Sequence, residues 1–423
     1  MKKILLSLVI TAVTLQCLGQ NNTWTKKANI PGPVRINSVG FSIGTNGYLT
    51  TGVGTPSGVF TLYNDLWEWN QLNNTWTQKA NLPGGGRYGA VGFAIGEKGY
   101  VGTGWTNTSM EDFWEWDKAT NIWTQKATVP GGARWDGIGF SIGTKGYIGT
   151  GYIATNVIVQ DLWEWDQTTD TWTRKSDIPS SGLRLGAVAF SIKTKGYIAL
   201  GAKAATGFGT GSYKDLWEWD QAGDTWIRKA DFPGGKKSYV SGFSIGSEGY
   251  MGTGMDSVGN TTKDFWRWDQ NTNTWQKEAD FGGGTRSYIT NGSFVIGNKG
   301  YFGAGARARN YGFMDNALWE YQRDTIFTSS FEIPIVNKLQ VSIFPNPFYS
   351  LAIIKFPHDL KEMSEITMEI FNLSGQKVKS YNFENFREQI EINASEIGKE
   401  GVYFYTILNK NKEISTGKFI ITK

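Results

Sequence analysis

Asp161-Leu-Trp-Glu-Trp-Asp-Gln-Thr-Thr-Asp-Thr-Trp172 is the clearest copy of a phrase that recurs six times in this chain. Its paired aromatics return at Trp67/Trp69, Trp114/Trp116, Trp163/Trp165, Trp217/Trp219, Trp266/Trp268 and, degraded, Trp319/Tyr321, with successive copies 47 to 54 residues apart. A period near 50 with strand-like content is the mark of a radial β array, in which each repeat contacts only its neighbours. Most of the aromatics are therefore read first as structural.

One repeat divides into four strands. The first follows a basic residue, as in Ala90-Val-Gly-Phe93-Ala-Ile, and the second is Gly99-Tyr-Val-Gly-Thr-Gly104. The third is Asp112-Phe-Trp-Glu-Trp-Asp117 and the fourth begins at Trp123. Alternation in the third strand puts Trp114 and Trp116 on one face and Phe113 and Glu115 on the other. Both faces carry apolar residues, which requires sheets packed on both sides. Six sets of the first three strands follow Arg35, Arg87, Arg134, Arg184, Lys237 and Arg286, but internal fourth strands occur only at Trp76, Trp123, Trp172, Trp226 and Trp275. The missing one is expected at Asn22-Thr-Trp24-Thr-Lys-Lys-Ala, where it would close the ring and hide the unpaired edges.

These elements together resemble the Kelch-repeat β-propellers. The basic residue, the Gly-Tyr, the Asp-Leu-Trp-x-Trp-Asp and the following Trp carry the resemblance from about Asn22 to Asp324. The departure is at the second strand, where the usual double glycine is Gly-Thr-Gly, or Ala199-Leu-Gly201 in the fourth repeat. The fold expected is all-β: a six-bladed Kelch-type propeller over 20–324, closed by the N-terminal strand, then a small β-sandwich.

The ends of the chain read differently. Lys2 and Lys3 precede an apolar stretch, Ile4 to Leu15, too short to span a bilayer. Cys17 and Gly19 suit a cleavage site before Gln20, so 1–19 reads as a signal peptide. A lipoprotein reading of Cys17 is the lesser alternative, because Gln16 is a poor residue before a lipidated cysteine. No other segment is apolar enough to cross a membrane. After a linker at 325–337, alternating strands begin with Val341-Ser-Ile-Phe-Pro-Asn-Pro-Phe348 and run to the Lys-rich end. With Asn372-Leu-Ser-Gly-Gln-Lys-Val378 and Gly401-Val-Tyr403, residues 338–423 resemble the C-terminal sorting domain (type A) of the Bacteroidetes type IX secretion system. That resemblance implies export by the type IX machinery, to the medium or the outer cell surface.

The net charge of +4 comes with basic residues spread evenly through the repeats, which speaks against a nucleic-acid partner. His358 is the only histidine and lies outside the repeats, so no His-based triad, zinc site or copper site is expected there. Asp269-Gln-Asn271-Thr-Asn273 mimics a calcium loop, but Thr274 stands where glycine is required, and the segment reads as a turn. Gly207-Phe-Gly-Thr-Gly211 lacks the strand-to-helix setting of a phosphate cradle. Glu68, Glu115, Glu164, Glu218 and Glu320 recur by repeat, so they read as bonds between sheets and not as a glycosidase pair. Neither a cofactor nor a metal is expected.

Loop length varies on one face. Between the second-strand glycine and the third strand lie twelve residues in the first repeat, seven in the second and thirteen in the fourth. Such variable loops commonly carry function. Kelch relatives place the basic residue near the channel mouth. A ligand site is therefore expected at Arg35, Arg87, Arg134, Arg184, Lys237 and Arg286, with Tyr88, Trp105 and Trp135 beside them and Tyr152 and Tyr311 nearby. The basic residues precede the strands, so little effect on stability is expected of them; the alternative is that they brace the loops. The leading functional expectation is a non-catalytic propeller binding an extracellular glycan or protein. The alternative is a metal-free enzyme, like the sugar mutarotases or epimerases that some Kelch propellers form.

Overall fold

The computed structural model describes residues 23–323 and 341–422, apart from 155–156, 180–181, 204–210, 290, 308–312, 357–365, 373–375, 384–388 and 410–411. The expected signal peptide at 1–19, the linker at 325–337, Gly207 and its neighbours, Tyr311 and His358 lie outside the described residues. The chain divides into two units, Met1–Ile326 and Phe327–Lys423.

Among the described residues the first unit holds six four-stranded antiparallel sheets. The third repeat shows the plan. Ile138–Ile142 pairs with Lys145–Gly149, which pairs with Leu162–Asp166, which pairs with Thr171–Lys175. The second strand is shorter than its sequence suggests, because the following Thr150 and Gly151 have positive φ (55° and 92°) and turn the chain away. The sixth sheet takes its outer strand from the chain start: Thr23–Lys26 pairs with Leu318–Gln322, and Trp24 stands opposite Tyr321. That register is the one in which Trp172 stands opposite Trp165.

Neighbouring sheets lock through one repeated contact. A Cβ on Gly146 would sit 2.2 Å from the Phe93 ring of the preceding sheet, and one on Gly99 would sit 2.4 Å from Phe41. The same clash recurs at Gly196 on Phe140, Gly249 on Phe190, Gly300 on Phe243 and Gly47 on Phe294. The glycine of each Gly-Tyr therefore serves a close approach of ring to backbone, since its φ is ordinary. The pair Gly47 and Phe294 brings the sixth sheet against the first.

Hydrogen bonds tie the outer strands across the same boundaries. Trp172 Nε1 donates to Ala127 O at 2.9 Å, Trp123 Nε1 to Ala80 O at 2.8 Å and Trp76 Nε1 to Ala28 O at 3.0 Å. Each turn before these tryptophans contributes a second bond. Asp170 Oδ1 accepts from the Ala127 amide and from Trp165 Nε1, at 3.0 and 2.9 Å.

The described residues of the second unit form two antiparallel sheets. Ser342–Phe344, Leu351–Lys355 and Gln389–Asn393 form one. Ile366–Phe371 is flanked by Lys377–Phe383 and Gly401–Asn409 in the other, with Lys412–Ile421 outside. Their inward residues, among them Ile354, Met368, Ile392, Ile407 and Phe419, share one core. A single helical turn, Ala394–Ile397, is capped by the Asn393 side chain.

Trp24 sits among Phe265, Phe281, Phe302 and Tyr321, with ring centroids 4.8 to 5.2 Å away. Trp24→Ala is expected to cost about 3 kcal/mol, the usual loss for a large aromatic truncated against a core. Chemical denaturation of the wild type and the variant checks this; an unchanged midpoint would show that the N-terminal strand does not hold the sixth sheet.

Candidate functional site

The loops joining second to third strands and those entering each inner strand meet on one end of the first unit. Backbone pairing assembles them. Arg134–Trp135 pairs with Tyr152–Ile153, and Tyr88 bridges to Trp105. Each loop is also tied to the next repeat, because the second-strand glycine donates its amide to the next basic residue's carbonyl. Gly104 donates to Arg134 at 2.8 Å, Gly151 to Arg184 at 2.9 Å and Gly305 to Arg35 at 3.0 Å.

The six basic side chains do not offer free charge. Arg35, Arg87, Arg134, Arg184 and Arg286 are fully buried and Lys237 is 1% exposed. Each is paired with an aspartate of its own repeat, which directly precedes the third strand in five of them and lies three residues before it in the sixth. Arg134 grips Asp161 with two bonds of 2.7 and 2.8 Å, and its NH1 also donates to Thr150 O. Arg35 grips Asp65, Arg87 grips Asp112 and Arg184 grips Asp215 in the same two-pronged way. Lys237 pairs with Asp264 and Arg286 with Asp315. The expectation of a cationic mouth with little structural role is thus corrected: the ring of charge is neutralised and internal. The five aspartates from Asp65 to Asp264 also accept from the tryptophan two residues on, as Asp161 does from Trp163 Nε1 at 2.7 Å.

The recurring glutamates also take a different place from the one expected. Glu164 accepts from Tyr147 of its own sheet at 2.7 Å, and Glu68, Glu115, Glu218 and Glu320 do likewise from Tyr48, Tyr100, Tyr197 and Tyr301. The bond between sheets comes instead from a glutamine: Gln221 Nε2 donates to the Tyr147 hydroxyl at 2.7 Å. Burial, then the adjacent carboxylate, pushes these phenols far above their ordinary range, so they remain donors. Asp269 Oδ1 accepts from the Asn271 and Thr272 amides, as a turn residue does.

The residues two beyond the basic ones meet near the middle of this end. Asn37, Asp136, Tyr239 and Tyr288 are buried there, all with positive φ. Tyr239 donates to Asp136 Oδ2 at 3.1 Å and its ring lies 4.6 Å from that of Tyr288. An apolar cluster including Ile36, Leu185, Met255 and Ala306 surrounds them. Burial pushes the Asp136 carboxyl up to about 7, partly offset by the Tyr239 hydroxyl. Elsewhere the six inner strands line a cavity of about 240 Å³, with Ser42, Ser141, Ser191 and Ser293 in its wall.

This end exposes a row of aromatic rings. Phe60 lies 6.2 Å from Tyr88, which lies 5.5 Å from Trp105 and 5.7 Å from Trp135; Trp135 lies 5.5 Å from Tyr152. Phe60 is half exposed and the other four are half buried. The structure thus brings Tyr88, Trp105 and Trp135 together. Phe60 was missed, although its place in the long first loop was a usable signal.

Residues 342–422 match the family described as the secretion system C-terminal sorting domain. The domain marks the chain as exported by type IX secretion, to the medium or the outer cell surface. No helix among the described residues is long and apolar enough to cross a membrane. A solved structure titled "Structure of YjhT" is similar at 16% identity with a TM-score of 0.58, covering 69% of this chain and 95% of that one. The likeness is one of fold, all-β and propeller-like. No curated protein matches the chain.

Two outcomes follow from the buried charges. Arg134→Ala leaves Asp161 buried without its cation, and a loss of about 3–5 kcal/mol is expected; a melting temperature equal to wild type would return Arg134 to the ligand-binding role. Asp136 binds its proton more tightly folded than unfolded, so its contribution to stability is present at low pH and is lost as pH rises from about 4 to about 7. Asp136→Asn should flatten the melting-temperature profile over that window, and an unaltered profile would place the titration elsewhere.

Proposed function

We propose that the first unit, over 20–324, is a closed six-bladed propeller of the Kelch type that binds an extracellular glycan through the aromatic row. The linker at 325–337 and the sorting domain at 338–423 complete the proposed organisation. The propeller reading is supported by six sheets of one plan, by the glycine–phenylalanine contacts that include the sixth-to-first boundary, and by the outer strand supplied from Thr23–Lys26.

The row from Phe60 to Tyr152 carries the binding reading. Core tryptophans such as Trp116 and Trp165 are fully buried, whereas these rings retain accessible area on the loop end. Aromatic rings present a rigid apolar surface with polar handles, and sugars stack their C–H faces on such surfaces. An edge-to-face array offers rings in more than one orientation, suited to successive sugar residues. Binding is favoured over the mutarotase or epimerase alternative because that chemistry needs an acid or base facing its substrate. Asp136 has the raised pKa such a group would need, yet it is 2% exposed and held by Tyr239.

A glycan array probed with the purified chain tests the reading. Phe60→Ala and Trp105→Ala should each weaken binding of any retained glycan by about tenfold or more, the cost of truncating an aromatic anchor. A chain that retains protein ligands and no glycan would overturn the ligand class. Removing 338–423 should stop the protein from reaching the medium or outer surface, as cell fractionation would show; normal export of the truncated chain would refute the sorting role.

A further inference from the structure

A second feature of the loop end lies between the third and fourth sheets. A cleft of about 720 Å³ is bounded by Val157–Asp161 on one side and by Leu183, Lys203 and Tyr213 on the other. We propose that this cleft takes the C-terminal end of an extended peptide whose last side chain is apolar. The reading is independent of the aromatic row.

Three observations converge. The first is an open edge. Val157–Ile158 pairs with Tyr152–Ile153, which pairs with Arg134–Trp135, and among the described residues no strand lies on the other side of Val157–Ile158. An exposed strand edge in a cleft is a template for an added strand, with the peptide's main chain supplying the bonds. The second is the cleft's apolar surface: Val157 and Leu183 are each about half exposed, at 49% and 47%. Lone exposed aliphatic residues are ordinary, but two lining one cleft beside Trp163 and Tyr213 make a pocket for a side chain.

The third is charge. Arg174 is held by Asp177 at 2.9 Å, and Asp161 by Arg134. Arg184, over one face of Tyr213 at 4.4 Å, is neutralised by Asp215. Lys203 stands 4.9 Å from the centre of the Tyr213 ring, and no carboxylate among the described residues pairs with it. It is exposed and lines the cleft. Among the described residues Lys203 is the one uncompensated charge of the cleft, and beside an apolar pocket and an open strand edge it calls for a single anion at the end of an extended chain, which a terminal carboxylate provides.

The test uses the whole chain and a pentapeptide ending in phenylalanine, with its C-terminus either free or amidated, followed by calorimetric titration. The free acid should bind about tenfold tighter than the amide, the value of one charged hydrogen bond. Lys203→Gln should erase that difference, Lys203→Arg should keep it, and Leu183→Asp should weaken both peptides. Trp105→Ala should leave both affinities unchanged, which separates this site from the aromatic row. Equal binding of acid and amide, undiminished preference in Lys203→Gln, or no binding of the free acid would each overturn the proposal. Lys203 is exposed, so these variants should melt with the wild type.

Discussion

The buried pair of Arg134 and Asp161, repeated in every sheet, is the constraint on which the loop end depends. Its guanidinium joins the entrance of the inner strand to the start of the third strand and to the carbonyl of Thr150. Its own carbonyl receives the Gly104 amide of the preceding sheet. One residue thus fixes the second-strand exit, the third-strand entrance and the neighbouring loop. Two opposite charges removed from water cost several kcal/mol each to desolvate, and the pair is tolerable only because the remaining donors and acceptors are satisfied. The indole of Trp163 and the Pro130 carbonyl complete that shell. Arg suits the task better than Lys because its planar fork matches the carboxylate. At Lys237 the missing donors are offset by a threonine: Thr262 Oγ1 accepts from the ammonium at 2.8 Å and donates to Thr253 O at 2.6 Å.

The seams between sheets follow a second rule, and the boundary between the fifth and sixth sheets shows it inverted. In four of the other sheets a tyrosine donates to a glutamate of its own sheet and accepts from a glutamine of the next, while in the first Tyr48 donates to Glu68 and Lys118 stands at the place of the glutamine. In the fifth sheet Arg267 stands where the glutamate should be. Tyr250 donates instead to Glu248, and Arg267 is held by Glu248 and Glu278. Arg323 reaches from the sixth sheet to Glu248 at 2.5 Å, and Tyr321 donates to Glu278 at 3.1 Å. The sign has reversed at 248, 267 and 278, and Arg323 replaces a neutral glutamine, so the boundary stays neutral. Such compensation is what a packed, low-dielectric seam requires, since a single reversed charge there would be left unpaired.

The repeats, their four strands and the role of Trp24 were legible because period, alternation and register are local properties of sequence. Burial is not. Arg134 and its counterparts were read as a mouth because a basic residue before a strand is ordinarily exposed. Five of their aspartates stood in the same quoted motif, one per basic residue, and that match was the available signal; in the sixth repeat Ala317 takes the motif position and Asp315 serves instead. The glutamates were assigned to bonds between sheets because alternation gives the face of a side chain and not its reach. Tyr147 lies directly opposite Glu164 in register, so the shorter bond within the sheet forms. The cleft at Lys203 was not legible at all, since it depends on loops of two different repeats.

The sixth sheet differs from the other five in the sequence distance that its outer pairing spans. Trp24 and Tyr321 are paired across nearly the whole unit, whereas Trp172 and Trp165 sit seven residues apart. Loop closure grows costly only slowly with length, so this pairing is affordable at equilibrium but slow to find. The contacts gathered there fit that demand. Lys27 donates its amide to Leu318 O and Ile30 to Asn316 O, and Asn316 Nδ2 donates back to Ile30 O at 2.9 Å. Asn37 and Gly40 donate to Tyr288 O and Asn291 O. The Asn316 clasp lies just before the third strand of the sixth sheet and has a counterpart in the first, where Asn64 Nδ2 donates to Leu82 O at 2.9 Å. The sheet whose third and fourth strands come from opposite ends of the unit is therefore held by the Trp24 nest as well as by these bonds, and local opening of the unit should begin wherever they are weakest.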